Sequence, residues 1–172
     1  MVVEDISPGG WLAREVFANF GLAMYSSQVL EHGIVNLVVW SGLRDGRYRV
    51  YEETEAANVD LFRKTMGSVK KILLSRRPDI GHLDDLLIRA VRLRNFLAHE
   101  YFRERAAAFL TEVGKDEMIG ELKKATAFFE EVDARLEPLT RQIIEAIGVD
   151  KHMPEAMESA RQVGFGESLP GL

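Results

Sequence analysis

The 172-residue chain contains no cysteine, which excludes disulfides, thiolate nucleophiles and zinc sites built on cysteine. A reducing cytoplasm is the expected compartment. Proline is scarce, at five residues, so long helices can run with few interruptions. Long apolar runs are absent too. Val16 to Leu30 is uncharged, but Asn19, Ser26, Ser27 and Gln28 interrupt it and Glu31-His32 ends it. It is too short and too polar to span a bilayer, and no membrane partner is expected. No basic segment leads into an apolar core and a small-residue cleavage site, so no signal peptide is expected. There is no Walker loop, nucleophile elbow or dinucleotide fingerprint. No histidine follows a glutamate by three residues, which removes the ligand pattern of di-iron bundles. The expected cofactor and metal content is none.

What is present is the composition of a globular protein, 47% hydrophobic and 28% charged. The length suits a single domain, 1–172, around one core, with a loose tail from about residue 164. The net charge of −5 hides an uneven distribution. Residues 61–105 carry a net +6, while the segments before and after carry −5 and −6. Between Asp60 and Asp79 lie Arg63, Lys64, Lys70, Lys71, Arg76 and Arg77 with no acid among them. Such an island is either a polyanion-binding patch or a solvated face paired with acidic neighbours.

The apolar spacing predicts an all-α, up-down bundle of four to five helices. In a first helix, from about Trp11 to Trp40, Val16, Phe20, Ala23, Ser27, Leu30, Ile34 and Leu37 form a bundle seam. Further apolar residues on its other faces predict a central position or a subunit contact. Gly42 and Asp45-Gly46 mark a turn, and Arg47 to Tyr51 reads as a short extended segment. A second helix is expected over Asn58–Arg76, with Phe62, Met66, Val69 and Leu73 inside and the cations outside. A third runs from His82 to about Leu110, closed by Gly114. A fourth begins near Asp116 and follows Met118, Leu122, Ala125, Phe129, Val132, Leu136, Leu139, Ile143 and Ala146, with a kink at Pro138 and a stop at Gly148. Pro154 opens a possible short helix after it.

The most informative segment lies on the third helix: Arg94-Asn95-Phe96-Leu97-Ala98-His99-Glu100-Tyr101. A buried-looking helix does not carry such polar groups without a reason, either chemistry on a phosphate or a polar contact fixing the bundle. On an ideal helix Asn95 and His99 face the same way, in a stripe reaching back to Arg92 and forward to Arg103, while Arg94 and Tyr101 nearly eclipse. Arg94 and His99 stand about 140° apart and flank a groove. Histidine exchanges protons near neutral pH, and arginine offers a charged fork to phosphate oxygens. On RNA the substrate's 2′-hydroxyl is the nucleophile. Cleavage needs two proton transfers, so one such histidine per chain predicts that two chains share a site.

Arg94-Asn95-x-x-x-His99 resembles the signature of the HEPN superfamily, and the following x-Tyr101 is similar to the narrower pattern of HepT-type toxins. An arginine–histidine pair at a permitted spacing arises about once by composition in such a chain, and Arg77-x4-His82 is a second instance, straddling Pro78 and Gly81. The longer string is far rarer, below roughly one in a thousand. The resemblance implies a helical bundle that homodimerises so that two motifs line one cleft. It also implies metal-independent endoribonuclease activity in toxin–antitoxin or antiphage systems. By the family's roles Arg94 and His99 are catalytic and Asn95 supports them. Tyr101 matches the tyrosine that a nucleotidyltransferase antitoxin modifies. Arg92, Arg103, Lys70 and Lys71 are the candidate RNA contacts. The alternative is a non-catalytic HEPN-like scaffold that binds a protein partner.

The remaining polar residues read more simply. His32 and Asn36, beside Glu31 on the most apolar helix, are expected as a hydrogen-bonded core pair, with a second polar cluster as the alternative. His82 and His152 read as inert, and Phe102, Phe109, Phe128 and Phe129 as core.

Overall fold

The computed structural model describes residues 8–48 and 51–148, and these are helical with short connections and no strand. The helices are α1 (Pro8–Arg44), α2 (Tyr51–Phe62), α3 (Met66–Arg76), α4 (Asp84–His99), α5 (Tyr101–Glu104), α6 (Ala106–Phe109) and α7 (Glu112–Ile147), with a 3-10 turn over Pro78–Leu83. This all-α layout has more elements than the four or five expected, because two of the expected helices are broken. The tail from about 164, the helix at Pro154 and His152 lie outside the described residues, as do Arg49 and Val50.

Two long helices form the frame. The α1 seam Val16, Ala23, Ser27, Leu30, Ile34 and Leu37 is buried, and it packs along α7 through Met118, Leu122, Phe129, Val132 and Leu136. Both stripes repeat every three or four residues, so one face of each helix leaves water together; each fully buried large aliphatic side chain contributes about 1.5–3 kcal/mol. The helix α7 starts earlier than the sequence implies. The Thr111 side chain accepts the Gly114 N–H at 3.0 Å as an N-cap, and Gly114 opens α7 instead of closing the preceding helix. Its missing side chain is required there, since a Cβ would stand 2.2 Å from the Ala108 carbonyl oxygen. The helix continues through Pro138 and stops at Gly148, where φ is 70°.

The expected second helix is two. Helix α2 ends at Phe62, and Thr65 caps α3 by accepting the Ser68 N–H at 3.3 Å. Met66, Val69 and Leu73 are buried as expected, but Phe62 is 43% exposed at the break. The extended segment expected at Arg47–Tyr51 is also absent among the described residues: Arg47 is a bend and Tyr51 begins α2. The turn itself is at Gly46, with φ 72°. Arg76 anchors the chain after it by donating to the Tyr48 hydroxyl at 3.1 Å and to the Val38 carbonyl at 3.3 Å.

The third expected helix breaks after His99. Glu100 (φ −127°, ψ −27°) and Arg105 (φ −103°, ψ 11°) both leave the helical path. Tyr101 therefore does not continue the face of Arg94, and Arg103 does not continue that of Asn95 and His99. The cause is packing. The break lets Tyr101, 2% exposed, and the half-buried Phe102 and Phe109 dock onto the frame, with Phe20–Phe102 ring centroids 4.9 Å apart. No described helix is long and apolar enough to cross a membrane.

Candidate functional site

Helix α4 presents Leu87, Ala90, Arg94 and Leu97 at intervals of three, four and three residues. Three of these are buried. Arg94 therefore occupies a position in the apolar seam where a leucine would close the contact with α1. It meets Glu31 on α1 instead, Nη2 to Oε2 at 3.9 Å, with both side chains partly shielded from solvent. A cavity of about 780 Å³ opens at this point. Arg94, Asn95 and His99 form one wall, Glu31 and His32 of α1 another, and the α2–α3 turn with Phe62, Arg63 and Lys64 the third. The volume lies within the range of about 300–1,000 Å³ typical of small-ligand sites.

Three of the expected site residues thus come together. Asn95 and His99 are exposed to the groove, and Arg94 donates from Nη1 to the Asn95 Oδ1 at 3.4 Å. Arg94 and His99 both lie on the α4 wall of this groove, about 140° apart around the helix axis.

Tyr101 is a different case. Its hydroxyl turns into the protein, donating to the Met118 carbonyl at 3.2 Å and approaching Glu121 Oε2 at 3.3 Å. Burial, then the neighbouring Glu121 charge, raises its pKa far above the ordinary phenol value, so it stays protonated and hydrogen-bonded. Arg105 pairs with the same carboxylate at 2.8 and 3.1 Å, closing the pocket over the ring. Modification at Tyr101 would require the segment 101–109 to lift from α7.

The expected RNA contacts divide. Arg103 pairs with Glu100 and Glu104 beyond the helix break and does not extend the Asn95–His99 stripe. Lys70 is held by Asp84 at 2.6 Å and is largely covered. Lys71 and Arg92 remain exposed, and they line a shallower depression of about 320 Å³ that shares Thr65, Gly67 and Val91 with the main groove. The second arginine–histidine pair comes apart: buried Arg77 is tied to Asp79 at 2.6 and 2.8 Å, while His82 is exposed. Hydrogen bonding to Arg77 lowers the Asp79 pKa, against a smaller opposing effect of burial.

His32 and Asn36 are not a core pair. Both are exposed, and the His32 ring packs against Phe62 with centroids 4.5 Å apart. Helical periodicity turns residues 32 and 36 away from the seam Leu30–Ile34–Leu37, a signal already present in the spacing. Arg63 and Lys64 are groove residues that a continuous second helix would have left on an outer face. Among the described residues no three His, Asp or Glu side chains gather into a set able to hold a metal ion.

The arrangement joins an imidazole, a guanidinium and further cations around an open groove, a combination suited to a phosphodiester. No family model, curated protein or solved structure matches the chain.

Proposed function

We propose that this protein is a HEPN-type, metal-independent endoribonuclease that acts as a homodimer in the cytoplasm as a toxin or antiphage effector. One observation carries the reading: Arg94 and His99, the residues of the motif, open into the same groove beside Arg63 and Lys64. In this reading His99 exchanges a proton with the reacting ribose or the leaving oxygen. Arg94 neutralises charge that builds on the phosphate, and Asn95 holds the guanidinium in place. Arg63, Lys64, Lys71 and Arg92 draw in the polyanion.

Dimerisation is supported by an unpartnered stripe on α1. Trp11, Leu22, Tyr25 and Val29 fall on one face and are all exposed, Tyr25 at 63%. Single exposed apolar residues need no explanation, but four on one face of a helix are consistent with a surface that a second chain covers. The same stripe favours a second reading, a non-catalytic HEPN-like scaffold for a protein partner.

Incubation of the pure protein with structured and single-stranded RNA in EDTA separates the two. The nuclease reading expects cleavage by wild type and a loss of about 100-fold or more for His99→Ala and Arg94→Ala. Equal cleavage by wild type and His99→Ala, or none by either, sinks it.

A further inference from the structure

We propose that the depression between α4 and α7 is a second nucleotide subsite, so that a single RNA strand lying in the groove continues across α4 and sets a flanking base against Phe128. The inference rests on the ribonuclease reading above and adds Arg89, Lys124 and Phe128 to it.

The surface begins with spacing. Arg89, Arg92 and Asn95 follow one another at intervals of three on α4. On an ideal helix each such step rises about 4.5 Å and turns about 300°, so the three form an oblique ridge across the helix. On α7, Lys124 and Phe128 are four apart and share a face. Where the two helices meet, Arg89, Arg92, Lys124 and Phe128 line a depression of about 480 Å³. Arg92 also lines the smaller depression that holds Lys71 and shares Thr65, Gly67 and Val91 with the main groove. Shared walls thus join the three hollows into one track, from Phe128 at one end to the groove of Asn95 and His99 at the other.

The cations of this track are not spent on carboxylates. Elsewhere on α7, Arg135 and Arg141 each pair with a glutamate one turn back. Among the described residues Lys71, Arg92 and Lys124 are exposed and have neither an ion-pair nor a hydrogen-bond partner. Arg89 has Asp85 four residues back, yet its guanidinium lies over the Phe128 ring, Cζ 4.9 Å from the centroid. Glu121 is the one acid lining the α4–α7 depression, and both of its oxygens are engaged, by Arg105 and by the Tyr101 hydroxyl. In a chain of net charge −5, unpaired cations gathered on one continuous surface fit a polyanion.

The ring selects a strand over a duplex. Unstacked bases lie on aromatic faces or on guanidinium planes while neighbouring cations hold their phosphates; a duplex keeps its bases stacked inside and offers Phe128 nothing. The track uses none of the α1 stripe Trp11, Leu22, Tyr25 and Val29, so it is compatible with the dimer proposed above.

The test is fluorescence anisotropy with 2′-O-methyl RNA, which lacks the nucleophile and stays intact, as a trimer and as an octamer. Wild type should bind the octamer at least about tenfold more tightly than the trimer. Arg89→Gln/Lys124→Gln should weaken the octamer by about tenfold or more and the trimer by less than about twofold, and should lower the octamer's log–log salt slope by about 1.4. Phe128→Leu should weaken the octamer by about 5- to 150-fold with the slope unchanged. Both charge changes lie at exposed positions, so the double variant decides the matter should Phe128→Leu unfold. Wild-type octamer binding by the double variant overturns the subsite and leaves the Arg94–His99 reading, which the EDTA cleavage assay tests separately. Equal losses for trimer and octamer overturn it too, since a general field of charge has no fixed place along the strand. So does a wild type that fails to prefer the octamer, or that holds a duplex as tightly as the strand. The expected binding results from a wild type that cleaves no RNA support the subsite and sink the ribonuclease reading alone.

Discussion

Tyr101 distinguishes a helix that breaks after His99 from one that runs on. In an unbroken helix its ring would share the Arg94 face and line the groove, and truncation would cost little stability. In the structure the ring is 2% exposed, stacked on Phe20 and met edge-on by Phe96 and Phe102, with centroids 5.6–6.1 Å away. Truncating a buried aromatic residue to alanine costs about 3–5 kcal/mol. The hydroxyl contributes about 0.5–1.5 kcal/mol through its hydrogen bonds. The Met118 carbonyl lies within α7 and keeps its helical partner, so removing the hydroxyl strands no buried acceptor. At about 2–4 °C per kcal/mol for a domain of this size, Tyr101→Ala should lower Tm by roughly 6–20 °C and Tyr101→Phe by roughly 1–6 °C. Thermal and urea melts followed by far-UV circular dichroism measure both. The raised phenol pKa adds a pH signature. The folded state holds the proton more tightly than the unfolded chain, so the stabilisation is complete below the ordinary value of 10.0 and is lost as pH rises through the folded value. Wild type should therefore lose stability above about pH 10 more steeply than Tyr101→Phe. A Tyr101→Ala variant melting within about 2 °C of wild type would refute the buried position and restore the continuous helix.

Other positions give independent checks. Burial, followed by the Glu137 charge, raises the Asp133 pKa, so its native contribution is favourable below the ordinary 3.8 and is lost as pH rises through the folded value. Asp133→Asn should raise Tm at pH 7, with the advantage closing near pH 4; an unchanged Tm at neutral pH counts against the desolvated carboxylate. Gly114→Ala should cost about 1–3 kcal/mol, because its Cβ meets the Ala108 backbone at 2.2–2.7 Å. Gly120→Ala, in open space on the same helix, should gain about 0.4–1 kcal/mol, and equal urea midpoints for the two variants would contradict this packing. Sedimentation at micromolar concentration should find a wild-type dimer and a monomeric Tyr25→Glu/Val29→Glu variant; a wild-type monomer removes the proposed interface.

Much of the frame is legible in residue spacing. Burying one stripe of a helix forces a repeat of three and four residues, so Val16–Leu37 and Met118–Ile143 announce which faces of α1 and α7 leave water. The polar octet is legible for the converse reason: Arg94 interrupts the seam Leu87–Ala90–Leu97, and a charge in such a place requires a partner or a role. Other features depend on contacts between elements distant in the chain. Neither Gly nor Pro marks the break at Glu100; it follows from docking Tyr101, Phe102 and Phe109 onto α1 and α7. The turn that brings Arg63 and Lys64 to the groove depends on a threonine cap inside a stretch whose period reads as one helix. Helical periodicity states which way His32 points but not what lies opposite. That it shares a groove with His99 depends on how α1 packs against α4, a relation between helices that no local repeat encodes.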